Sequence, residues 1–144
     1  MEAVRPIPEG HSGFTYFVDV TGAERDLYVL RVPPPGARPV GPADVARQGA
    51  IMRAVAAAGI PVPAVPVVCS DPEPLGGRPF VLMEAVAGER PEVAVRSCGS
   101  ERLAAAAVEI LKRLQSLRPD ATGIGEEAAT SLDGELERWG RLLE

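Results

Sequence analysis

FTYFVDV (14–20), TGAER (21–25), DLYVLRV (26–32) and PPPG (33–36) follow one another near the start of the chain, and their order decides the fold. The first and third stretches are rich in β-branched and aromatic residues, so each reads as a strand. The five residues between them are far too few for a parallel crossover, so the two strands must pair as an antiparallel hairpin. Proline cannot donate to a strand ladder, so Pro33-Pro34-Pro35 stops the second strand abruptly.

Working outward, residues 43–58 are good helix formers broken only by Gly49, with Pro42 near the first helical position and Gly59 at a stop. Val45, Met52 and Val55 form one stripe there, and Gly49 allows close approach. Residues 60–68 (IPVPAVPVV) carry three prolines, which predicts an extended edge segment rather than a central strand. Residues 71–77 (DPEPLGG) are turn-rich. Residues 78–83 (RPFVLM) read as a buried strand, followed by a looser stretch. A helix is expected over 101–117, with the apolar stripe Leu103, Ala107, Ile110, Leu111, Leu114 and Leu117, an N-cap at Ser100 and a stop before Pro119. A last amphipathic helix over 132–143 places Leu136, Trp139 and Leu143 on one side. Strands first and helices afterwards imply an α+β fold.

Composition narrows the function. The 144 residues suit one domain, and at 46% hydrophobic but only 4% aromatic its core must rest on Val, Leu, Ile and Ala. Net charge is −5 and the 15 basic residues are scattered, which argues against nucleic acid and against an anionic membrane surface. No apolar run approaches the ~20 residues of a membrane helix, and the first ten residues have no apolar signal core, so a cytoplasmic location is expected. Cys69 and Cys98 are then expected to be free thiols. His11 is the sole histidine, so no Cys/His metal spacing exists.

Three short segments could carry chemistry. Gly10-His11-Ser12-Gly13 precedes the first hairpin strand, and its glycines let backbone N–H groups approach an anion. It is not a Walker loop, because no Gly-Lys-Ser/Thr follows. Arg31 ends the second strand with a planar fork suited to phosphate. Residues 80–88 (FVLMEAVAG) run from a strand into a glycine exit, where backbone groups can meet a flat heterocycle. Each segment alone is better explained as an ordinary loop or strand end.

Together, GHSGFTY (10–16), YVLRVPPPG (28–36), DVAR (44–47), GIPVP (59–63) and LME (82–84) resemble the aminoglycoside phosphotransferase family. The resemblance is nearest to the branch that includes the kinase-like domain of some acyl-CoA dehydrogenase proteins, and it covers nearly the whole chain. It implies a protein-kinase-like N-terminal lobe over 1–88, an antiparallel sheet with one packed helix, and the first helices of an incomplete C-terminal lobe over 89–144. It implies ATP as the ligand: Gly10, His11, Ser12 and Gly13 over the phosphates, Arg31 binding them from the strand, and the Glu84 carbonyl and Val86 amide holding adenine. A small-molecule hydroxyl would be the acceptor in a full-length parent.

Departures from the family pattern qualify this. A Glu usually pairs with the strand cation from the following helix; here Gln48 stands at that position, which leaves Asp44, one turn earlier, as a possible substitute or merely a first-turn dipole partner. Relatives often carry Leu-His where Leu114-Gln115 stands, and Gln115 reads as a packing position. Phosphoryl transfer needs an Asp to orient the nucleophile and groups to hold Mg²⁺, which the family supplies from a His-Gly-Asp loop, an Asn and a later Asp. This sequence has no asparagine, and is expected to stop before that loop and to be inactive alone. The alternative is a non-catalytic nucleotide-binding or interaction module. A lobe without its mate would also expose apolar cleft surface, favouring a homodimer.

Overall fold

The computed structural model describes residues 3–8, 13–22, 26–38, 44–71, 73–122 and 131–140. Five strands, β1 (Ala3–Pro6), β2 (Phe14–Asp19), β3 (Leu27–Val32), β4 (Val67–Cys69) and β5 (Phe80–Glu84), form one sheet in the order β1-β2-β3-β5-β4. Every neighbouring pair is antiparallel. The helices are α1 (Val45–Ala57), α2 (Pro91–Cys98), α3 (Ser100–Ser116) and α4 (Leu132–Gly140). The fold is therefore α+β, with the expected hairpin at its centre: Thr15 pairs with Arg31 and Phe17 with Val29.

The side-chain period of two sorts β3 into two faces. Val29 and Arg31 share a face with Met83 and Val81 of β5, their cross-strand partners. That face meets α1. Val45, Val65, Val81 and Met83 form its buried cluster, with Val29, Met52 and Val68 packed against them. Val45 and Val81 are each only 1% exposed, so each contributes on the order of 2 kcal/mol of burial. The opposite face carries the buried Val18, Tyr28 and Val32.

Gly49 explains how α1 sits so low. A β-carbon there would stand 2.7 Å from Val68 Cγ2 and 2.9 Å from Val81 Cγ2, so a side chain would force helix and sheet apart. Asp44 starts the helix: its Oδ1 accepts from the Arg47 N–H at 2.9 Å, satisfying a donor that the first turn leaves without a partner.

The proline-rich segment is an edge, as expected, but only Val67–Cys69 joins the ladder. Its prolines supply no N–H, so its carbonyls need donors from outside. Arg53 on α1 supplies two, Nε to Val65 O at 2.7 Å and Nη2 to Pro66 O at 2.6 Å, while the Glu84 N–H reaches Ala64 O at 2.7 Å.

Three elements differ from expectation. β1 is a strand of four exposed residues, too short to carry an alternating pattern. The looser stretch contains α2, begun by Pro91 at its first position. The residue before α3 is Gly99 at φ 80°, ψ 150°, with no side-chain cap, and Ser100 is already helical. A positive φ of that size suits glycine and not serine. Cys69 and Cys98 are free. Among the described residues no helix is long and apolar enough to cross a membrane.

Candidate functional site

The site is built around Arg31. Its position near the end of β3 puts the side chain on the α1-facing side of the sheet, opposite Val81. Gln48 lies three residues beyond the buried Val45, so it is on the sheet-facing side of α1. Arg31 Nη1 donates to Gln48 Oε1 at 2.9 Å, and both residues are half-buried. The helix residue that supports the strand cation is thus Gln48. Asp44 does not take over: its carboxylate is engaged as the α1 cap. The pairing is a neutral amide on a guanidinium, a charge-assisted hydrogen bond that leaves the positive charge uncancelled.

Gly13 leads directly into β2. A β-carbon on it would stand 3.0 Å from the Val32 carbonyl oxygen, a contact between backbones that neither can relieve. Glycine is therefore what lets the backbone at position 13 pass close to the end of β3, one residue from Arg31. Gly10, His11 and Ser12 lie outside the described residues.

Glu84 and Val86 stand at the other end of the same strands. Tyr28 pairs with Glu84 and Arg31 with Val81, so Glu84 is three residue steps from Arg31 along the ladder, about 10 Å. The Ala85 N–H donates to Leu27 O at 3.3 Å, so strand geometry turns the polar groups of Glu84 away from β3 and toward the Ala64 segment. Val86 follows the last ladder bond and is 67% exposed; among the described residues no carbonyl takes its N–H.

Sequence reasoning missed Arg53 as the clamp on residues 65 and 66. The signal was present in Pro61, Pro63 and Pro66, which create acceptors without donors. A separate apolar groove of about 270 Å³ lies between α1 and the end of α3, lined by Ile51, Val55, Leu114, Leu117, Pro119 and Thr122. It begins one helical turn from Gln48. Among the described residues no three His, Cys, Asp or Glu side chains are grouped to hold a metal ion.

An antiparallel sheet, one helix packed on it through a strand cation, and helices thereafter make up the kinase-like phosphotransferase fold. The chain matches the model of the phosphotransferase enzyme family over residues 3–143, and it belongs to that family. Among solved structures, a candidate aminoglycoside phosphotransferase from Ralstonia eutropha superposes with a TM-score of 0.70 at 22% identity, covering 96% of this chain and 40% of that one. The chain thus spans about two-fifths of the length of that relative. No curated protein matches the sequence.

Proposed function

We propose that this chain is the ATP-binding portion of a small-molecule phosphotransferase. The observation that carries the reading is the placement of Arg31: fixed by Gln48, one residue from the close approach at Gly13, and about 10 Å along the sheet from the Glu84–Val86 exit. A nucleotide laid along this face would put its phosphates under Arg31 and the glycine turn (Gly10, His11, Ser12 and Gly13). Its base would lie at the strand-end exit, facing the Glu84 carbonyl and the Val86 N–H.

ATP would bring the transferable γ-phosphoryl group. The residues of this chain bind and orient it, and the groups that position an attacking hydroxyl or hold Mg²⁺ would come from elsewhere in a complete phosphotransferase. The acceptor is a small-molecule hydroxyl. The arginine at position 31 supports placement in the branch related to acyl-CoA dehydrogenase proteins.

Titration with ATP and with adenosine tests the reading. ATP should bind, and Arg31→Ala should weaken it about 10- to 100-fold, the worth of a charge-assisted phosphate contact. Adenosine should be little affected. Failure of the protein to bind ATP, or an Arg31→Ala variant that binds it as well, overturns the proposal. A second reading, a non-catalytic nucleotide-binding module, is favoured by the neutral Gln48 as the partner of Arg31, where the family resemblance leads one to expect a Glu. It predicts ATP affinity that is the same with and without Mg²⁺.

A further inference from the structure

Arg31 is held by a neutral partner, and this has a consequence for what the site selects. Its one side-chain hydrogen bond goes to Gln48 Oε1 at 2.9 Å. Among the described residues no carboxylate pairs with it, since Asp44 caps α1. Thr15 and Val81, its cross-strand neighbours, carry no charge. A half-buried guanidinium that has lost part of its water and gained no counter-charge interacts strongly with an incoming anion. A carboxylate at the same point would hold the fork in the same geometry but would cancel most of that field.

We propose that Gln48 is a specificity-determining positioning residue: it orients Arg31 without neutralising it, so that the site discriminates by ligand charge and binds a nucleoside triphosphate far better than the uncharged nucleoside. This rests on the nucleotide-binding reading above and deepens it. The selectivity resides in the choice of amide over acid, two side chains of the same shape. Gln48 acts through Arg31 and need not touch the ligand.

The experiment compares affinities for ATP and adenosine in the wild type, Gln48→Glu and Gln48→Leu, with thermal melting of each. Gln48→Glu keeps the acceptor oxygen and adds the charge. It should melt no lower than the wild type, lose about tenfold or more in ATP affinity, and keep its adenosine affinity within about twofold. Gln48→Leu removes the orienting bond but leaves the cation bare, so its ATP loss should be smaller. Should Gln48→Glu disturb the packing, Gln48→Asp gives a second measurement, with a smaller loss in the same direction because its carboxylate stands farther off. A folded Gln48→Glu that binds ATP like the wild type overturns the inference and leaves the nucleotide reading intact. Equal losses for ATP and adenosine also overturn it, because a purely structural role would produce them. A wild type that binds neither ligand removes the nucleotide reading and this inference with it.

Discussion

The sheet with α1 and the helices that follow are made from the same apolar residue types, yet they use them differently. In the first region Val45 and Val81 are 1% exposed and Val32 is 3%. In the second, neither α2 nor α3 has a buried residue. Along α3, Val108 is 49% exposed, Leu111 52% and Leu114 40%, and on α4 Leu136 and Trp139 exceed 60%. The α3 stripe has the regular spacing of a core-facing helix, but among the described residues only its end meets α1, across the groove at Leu114 and Leu117. A stripe of this kind reports the surface a helix is built to meet; burial reports whether the surface is there.

Substitutions can sharpen or break that contrast. The largest effect belongs at the α1–sheet contact. Gly49→Val should cost about 3 kcal/mol in urea unfolding, because its side chain would enter space held by Val68 and Val81. A cost below about 1 kcal/mol would mean that α1 does not rest on the sheet. Next come the helix starts. Asp44→Ala should cost about 1 kcal/mol by removing a real cap, whereas Ser100→Ala should cost only a few tenths, since α3 has no side-chain cap. Equal costs would contradict the difference in geometry. The smallest effect is expected on the exposed stripe. Leu111→Gln should change stability by less than about 0.5 kcal/mol and should improve solubility. A loss as large as that of Gly49→Val would show that the α3 stripe is covered in solution.

Much of this architecture was legible in the residues. The β2–β3 hairpin was readable because two strand-type runs flank a connection too short for anything else. α1 was readable because Val45, Gly49 and Met52 repeat at helical spacing, and the edge position of residues 60–68 because proline cannot sit in a central strand. β1 was not readable: AVRP has no alternation, and its pairing with β2 comes from tertiary contact, helped by Arg5, which bonds Asp19 at 3.4 Å and lies 5.6 Å from the Phe17 ring centre. α2 was hidden by its eight-residue length and by Val93 and Val95, which favour strands locally. At the candidate site, Arg31 stood out only together with the flanking motifs that resemble the phosphotransferase family, because a cation at a strand end is ordinary by itself. The choice between Asp44 and Gln48 was not readable, because residues four apart share a helix face. What separated them was depth: the first turn must supply a cap, and that claims Asp44.

The borders of the sheet have a bearing on how this molecule can associate with itself. On one side, residues 61–66 lack the amide hydrogens of Pro61, Pro63 and Pro66, and the Arg53 fork already occupies the carbonyls of residues 65 and 66. On the other, β1 is four residues long and ends in Pro6. Neither margin offers the continuous row of donors and acceptors that a foreign strand requires. Copies of this chain at high concentration would therefore be steered away from fibre-like extension of the sheet.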